Sequence, residues 1–394
     1  MKILVLYPHP VEPDGQSLQG YYLSKGLREL GYEVWECDRA DNIQKLWAYK
    51  GFNPDVVIGI GCWSDSPDVI FSPMRHGLKA VPWFNADGWV ANYHDTFNNL
   101  PLILTTSNWV KETYNRDGVN NPNIFPCSIG FDPKVFYPIP RSDPRIIKLR
   151  QLLGIQPDEK MILTAGGDVT SKGAQEMFKA LSKITNSFPG WKYVLKTYES
   201  FSAEDHGNEE EALIEKLGLP QDRIIYLSGK YSSEFTNILM NACDVYAGPS
   251  RLEGFGMFQL EAQACGKPVI SIKSGGPRDF ILNGETGFLV DAEHEVKLDS
   301  EWAYEWMGFE EKHKVVFDNP KTFAYRANID QLAQATLKLL TDNNLREVMG
   351  KSAAKHALEN FHYKVTAKKI VELVERYVLD KEKEISEFRE PKSF

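Results

Sequence analysis

Short apolar runs recur along this chain, and most are followed by a stretch with helical periodicity. The first set is Ile3 to Tyr7, Val56 to Ile60, Val81 to Asn85, Ile103 to Thr106 and Ile124 to Pro126, with Glu33 to Cys37 read as a further strand after the first helix. The second is Met161 to Ala165, Tyr193 to Lys196, Ile224 to Leu227, Val245 to Ala247, Val269 to Ile272 and Phe288 to Val290. Between them apolar residues return at helical spacing, as Leu23, Leu27 and Leu30 do. Strands alternating with helices are βαβ units, and such units build parallel sheets. The expected fold class is therefore α/β with two Rossmann-like open sheets, because Pro133 to Pro144, with four prolines and little periodicity, reads as a linker between the sets. The domains are expected at 1–143 and 144–370, with an irregular insertion at 292–328 and a C-terminal helix and tail at 371–394.

Composition narrows the partners. A net charge of -9 argues against a nucleic-acid binder held by phosphate contacts. Five scattered cysteines without a C-x-x-C pair suit a reducing compartment and no structural zinc. The apolar run before Pro8 is too short for a signal peptide, and no run approaches the length of a membrane span. These readings give a cytoplasmic protein, with peripheral contact at an inner membrane face left open.

The chemistry concentrates in Pro249 to Ile270, PSRLEGFGMFQLEAQACGKPVI. It reads as strand end, glycine-punctuated loop, helix from Met257 to Cys265, and strand. Gly254 and Gly256 allow close backbone approach to a ligand. The free N–H groups of Met257 to Leu260, with Met257 and Phe258 at the helix start, favour an anion there. Glu253 and Glu261 bracket the turn. A carboxylate beside a phosphate is repelled, so the natural partners of both are hydroxyls, as on a ribose and a sugar. The loop suits a sugar joined to a phosphate.

The spacing of Glu253 and Glu261, inside PS-x-x-E-G-F-G-x-x-x-x-E-A-x-A-C-G-K-P-V-I, closely resembles the E-x7-E motif of the retaining glycosyltransferases of family four, which have the GT-B fold. The resemblance implies two Rossmann-like domains facing a cleft and a last helix crossing back to the N-terminal domain. It implies a hexosyltransferase that retains anomeric configuration and uses neither metal nor cofactor, the nucleoside-diphosphate sugar being the donor substrate. It places Glu253 on the donor sugar, Glu261 on the ribose, and Phe255 in the same donor loop.

Other candidates follow from the same resemblance. Gly15 stands where relatives have the second glycine of a diphosphate-binding loop, although Asp14 replaces the first. Lys172, before Gly173, matches a Lys that neutralises the leaving diphosphate. Gly167 occupies the place of a frequent Arg, and Lys196, ending the next strand, is a candidate substitute. Gly229 and Lys230 of SGKY fall where the family holds the nucleotide base. Ser274-Gly275-Gly276 and Asn283 to Gly287 resemble loops near the site, though turn chemistry alone selects such residues. Relatives often have a His near Asn85 to Trp89; here Asn85, Asp87 and His94 are the polar groups. Trp83, Trp89 and Tyr93 either stack on a sugar or pack the core. Asp65 and Asp68 read as caps rather than metal ligands.

The expected function is hexose transfer from a nucleoside-diphosphate sugar, UDP-glucose favoured over GDP-mannose, to an acceptor hydroxyl. The acceptor is a sugar, a lipid-linked molecule or a small metabolite, in polysaccharide or glycoconjugate synthesis. The alternatives are a GDP-mannose-dependent mannosyltransferase and a non-catalytic nucleotide-sugar binder. A dinucleotide-binding dehydrogenase is disfavoured because YPHPVEPDG lacks G-x-G-x-x-G after the first strand.

Overall fold

The computed structural model describes residues 1–394 except 13, 86–87, 199–202 and 380–394, and only the backbone of 203–205. The chain opens with β1 (Lys2–Tyr7), α1 (Gly15–Glu29), β2 (Glu33–Asp38), α2 (Asn42–Trp47) and β3 (Val56–Gly61). It continues with α3 (Ser72–Met74), β4 (Ala80–Phe84), α4 (His94–Asn99), β5 (Ile103–Thr105), α5 (Asn108–Arg116) and β6 (Ile124–Pro126). Then come α6 (Pro144–Leu152), β7 (Lys160–Ala165), α7 (Ala174–Ile184), β8 (Trp191–Thr197), α8 (Ala203–Lys216) and β9 (Ile224–Ser228). They are followed by α9 (Ser233–Ala242), β10 (Val245–Gly248), α10 (Met257–Ala264), β11 (Val269–Ile272) and β12 (Gly287–Val290). A hairpin of β13 (Ala292–Ala303) and β14 (His313–Ala327) precedes α11 (Ile329–Thr341), α12 (Asn343–Phe361) and α13 (Tyr363–Val374).

The chain divides into two compact units. One holds residues 1–130, 299–319 and the chain from Phe361; the other holds 131–298 and 320–360. The sheet of the first unit has the order β2-β1-β3-β4-β5-β6, and its strand pairs are parallel. Ile3 to Tyr7 and Val56 to Ile58 are fully buried, which explains their unbroken apolar runs: a parallel strand covered by helices on both faces has no polar side. Each fully buried aliphatic side chain there contributes roughly 1.5–3 kcal/mol relative to exposure. The sheet of the second unit has the order β12-β11-β10-β7-β8-β9, again parallel. The strand order of this sheet reverses between β7 and β10, and in open α/β sheets ligands sit beyond the carboxyl ends of the strands at such a point.

Three sequence expectations need revision. The division falls at Gly130 and Phe131 rather than at 143, because the proline-rich stretch docks on α9. Ile139 N donates to Asn241 Oδ1 at 2.8 Å, and Arg141 pairs with Asp244 at 3.1 Å. The returning segment starts at Phe361 rather than 371. There α13 packs on α1, with Tyr363 Oη donating to Glu29 at 2.8 Å and Lys364 paired with the same carboxylate at 2.6 Å. The segment expected to be irregular is the long hairpin β13–β14, a two-stranded sheet of its own.

Candidate functional site

The loops after β7 and β10 flank the reversal point of the second unit, and each leads into a helix that starts in the same unusual way. The N-cap of α7 is Gly173 at φ +90°, and that of α10 is Gly256 at φ +103°; neither start has a side-chain cap. Seven other helix starts are closed by Asp14, Asp41, Ser107, Asp143, Ser232, Asn328 or His362, each accepting from first-turn N–H groups, whereas the short α3 and α4 have no side-chain cap. The left-handed backbone at Gly173 and Gly256 is costly for other residues. A Cβ on Gly173 would also lie 2.4 Å from Pro249 O, so the two loops approach closely because that residue is glycine. The N–H groups of the first turns of α7 and α10 are left without a side-chain acceptor, in the position suited to an anion.

Charged side chains sit around these starts. Lys172 Nζ lies 2.7 Å from Glu253 Oε2, joining the loop after β7 to the loop after β10. The Glu253 loop is fixed by Gly276 N, which donates to Glu253 O at 2.8 Å and brings in the Ser274–Gly276 turn. Phe255 is buried against Phe280, ring centres 5.4 Å apart, and anchors the turn between Gly254 and Gly256. Met257 and Phe258 are the first two residues of α10. Glu261, one turn further, is 3% exposed. Burial pushes its carboxyl up to about 8, with the Lys196 ammonium opposing the rise. Burial in turn lowers the Lys196 amine, and its Nζ lies 5.6 Å from the centre of the Phe258 ring.

The remaining strand ends complete the rim. Lys196 pairs in register with Ala165, and Gly166 N donates to Lys196 O at 3.0 Å. Gly167 follows, and a Cβ there would meet nothing within 4 Å. Gly229 N donates to Thr197 O at 3.2 Å, and Lys230 Nζ lies 5.2 Å from the centre of the Tyr198 ring. Lys172, Lys196, Gly167, Gly229, Lys230, Glu253, Gly254, Phe255, Gly256, Met257, Phe258 and Glu261 therefore all lie on the carboxyl-end side of one sheet.

The candidates in the first unit fare differently. Gly15 is the first residue of α1, and Asp14 Oδ1 accepts from Gln16 N and Ser17 N at 3.0 Å each. The expected diphosphate role of Gly15 is thus opposed by a carboxylate already seated on the helix start. Asn85 is held by side chains: its Oδ1 accepts from Gln16 Nε2 at 3.2 Å, and its Nδ2 donates to Gln19 Oε1 at 3.2 Å. His94 Nε2 lies 2.8 Å from Asp117 O. Trp83 and Trp89 are buried, and Tyr93 packs on Phe71 and Phe97, so this cluster is core. Asp65 accepts from Cys62 N at 2.7 Å and pairs with Arg39, while Asp68 pairs with Lys45. Both are structural. Asp87 lies outside the described residues.

Two bracing groups escaped the sequence reading. Arg251, in the loop after β10, donates to Glu176 Oε1 at 3.2 Å, and Arg326 of β14 pairs with the same carboxylate at 3.4 Å. Glu176 is buried on α7 beside Met177 and Ala180. An acidic residue on the apolar face of a helix calls for a cation, and that signal was available. The second is Asp168, which is 2.9 Å from His206 Nδ1 and also caps Thr170 N at 3.0 Å.

Residues 146–301 match the family described as "Glycosyl transferases group 1". A D-inositol 3-phosphate glycosyltransferase from Paenarthrobacter aurescens is 31% identical over 266 residues, which are 68% of this chain and 55% of the relative. The one from Corynebacterium jeikeium is 29% identical over 239 residues, 60% of this chain and 48% of the relative. The chain thus spans about half the length of the curated relatives it matches. Among solved structures, Anabaena HepE in complex with UDP and glucose superposes with a TM-score of 0.71 at 18% identity, covering 95% of this chain and 100% of that one. The whole-chain likeness shows the fold, two Rossmann-like α/β units as in GT-B glycosyltransferases.

Proposed function

We propose that this protein is a retaining glycosyltransferase that moves a hexose from a nucleoside-diphosphate sugar, with UDP-glucose the favoured donor, to an acceptor hydroxyl. The observation that carries this reading is the ion pair of Lys172 and Glu253 at the point where the sheet order of the second unit reverses, beside two helix starts without a side-chain cap. The matched segment 146–301 contains every one of these residues.

In this reading the diphosphate lies against the starts of α7 and α10, where partial positive charge favours it. Lys172 neutralises the charge that develops on the leaving phosphate as the glycosidic bond breaks. Its attachment to Glu253 keeps the ammonium in place while the site is empty. When the donor enters, the phosphate competes for the lysine and the hexose hydroxyls donate to Glu253. Glu261 accepts from the ribose hydroxyls, which replaces the solvation it lost on burial. Lys196 supplies the second positive charge that Gly167 does not. The acceptor hydroxyl attacks as the bond to phosphate breaks, and the leaving phosphate takes its proton on the same face, so no separate general base is required. The relatives' name adds a phosphorylated cyclitol to the sugars, lipid-linked molecules and small metabolites that serve as acceptor candidates.

The test is incubation with a panel of UDP-, GDP- and ADP-sugars, with and without acceptors, followed by assay of released nucleoside diphosphate. Acceptor-dependent release from UDP-glucose supports the reading. Tight binding without any release identifies a non-catalytic binder, and release from GDP-mannose alone moves the donor to the guanine series.

A further inference from the structure

The tip of the β13–β14 hairpin, from the end of β13 into the loop, carries aromatic side chains that its own fold does not bury. Trp306 is 63% exposed and Trp302 is 44% exposed. Tyr304 joins them: its ring and that of Trp306 are aligned within 19°, with centres 6.1 Å apart. Lys312 Nζ lies 4.8 Å from the Trp302 ring centre and 5.1 Å from that of Tyr304, and so pins both rings. Exposed aromatic side chains gathered into one patch, rather than scattered singly, are the kind of surface that marks an interaction site.

This end of the hairpin is fixed within the first unit. Asn92 Nδ2 donates to Met307 O at 3.3 Å and to Gly308 O at 3.1 Å, and Phe317 packs edge-on against Trp89 at 5.5 Å. Both anchors lie in the loop after β4, at the carboxyl end of that unit's sheet, where open α/β sheets take ligands.

Charge selects the occupant. Residues 299–319 carry six carboxylates (Asp299, Glu301, Glu305, Glu310, Glu311, Asp318) against two lysines, Lys312 and Lys314. An acidic surface repels anionic lipid headgroups and nucleic acid. It suits a neutral ligand that combines flat C–H faces with many hydroxyl donors. A pyranose chain has both: its C–H faces stack on indole and phenol rings, and its hydroxyls donate to carboxylates. We infer that Trp302, Tyr304 and Trp306 form a binding platform for a neutral glycan, holding a sugar chain on the first unit. This site is separate from the nucleotide-binding residues of the second unit, and its existence does not depend on their role.

The experiment is affinity electrophoresis of the full chain, without nucleotide, in gels containing dextran, soluble starch, a soluble β-glucan or mannan. The Trp302→Ala/Trp306→Ala double variant is run alongside, with circular dichroism to check its fold. Both side chains are exposed, so the variant is expected to fold as the parent does. The inference predicts retardation of the parent in at least one gel and a roughly tenfold or greater loss of affinity in the variant, since exposed tryptophan anchors dominate such contacts. Should the double variant misfold, Trp306→Gln alone takes its place. Parent mobility unaffected by all four polysaccharides overturns the inference, as does equal retardation of parent and variant. Tryptophan-dependent binding to phosphatidylcholine–phosphatidylglycerol vesicles, with no glycan retardation, makes the surface a membrane contact and also overturns it.

Discussion

Lys172 Nζ and Glu253 Oε2 lie 2.7 Å apart although 81 residues separate them in the chain. The strand order of the second unit makes this possible: β7 and β10 are neighbours, and each residue stands in the loop that leaves one of them. A donor that binds here meets a lysine and a carboxylate that already hold each other.

Lys172→Ala is expected to lower kcat about a hundredfold or more, because its charge matters most as the diphosphate leaves. Folding should hardly notice. The pair is partly open to solvent, and such pairs contribute about 0.2–1 kcal/mol. Steady-state kinetics and a melting curve check both halves; a kcat within about threefold of the parent removes Lys172 from the mechanism.

Glu253→Gln and Glu261→Gln should separate. In the Glu253→Gln variant Lys172 loses its carboxylate and is freer for phosphate, so UDP affinity should hold or rise while turnover falls. In the Glu261→Gln variant the ribose loses its carboxylate acceptor, and UDP affinity should fall. Calorimetric titration with UDP reads both, and equal losses of affinity would show that the two roles are not divided this way.

Stability should depend on pH through Glu261. Its folded pKa, about 8, lies above the ordinary carboxylate value of 4.5, so between these values the folded chain holds a proton that the unfolded chain has lost. Its contribution is therefore full below about pH 4.5 and disappears as pH rises through 8, by on the order of a few kcal/mol at most. Lys196, lowered by burial, adds the opposite slope nearer the ordinary lysine range. Without ligand, Glu261→Gln should flatten the fall in melting temperature between pH 5 and 8. Parallel pH profiles for parent and variant would show that Glu261 is ionised in the empty site.

Lys196 faces α10, over the Phe258 ring and within the field of Glu261, rather than outward to bulk solvent. Lys196→Met should therefore weaken UDP binding and slow transfer together. Gly167→Arg in that background has open space for the new side chain and should restore part of the rate. A Lys196→Met variant with parental affinity and rate would end the idea that this lysine replaces the absent arginine.

The central strands of both sheets were legible in the sequence because burial on both faces leaves unbroken apolar runs, whereas the edge strands β2 and β9 are only partly buried. The hairpin was not legible: Val296 and Leu298 alternate with Lys297 and Asp299, but Glu and Lys crowd both strands, which are largely open to solvent, and the alternation was passed over. Helix α8 was missed for a related reason, since its acidic sequence shows little apolar periodicity. In the site, the loop from Glu253 to Phe258 and the helix start at Gly256 could be read from glycine spacing. The partner of Glu253 could not, because the pairing depends on strand order, which local sequence does not encode. At Gly15 the sequence reading weighed Asp14 as a poor phosphate neighbour and did not see that it caps α1.

The account is tested most directly by proton NMR of a reaction with UDP-glucose and the best acceptor from the panel, following the anomeric protons of donor and product. It predicts an α-linked product from the α-configured donor, formed in step with UDP and absent from the Lys172→Ala reaction. A β-linked product, or a Lys172→Ala reaction as fast as the parent's, would contradict it.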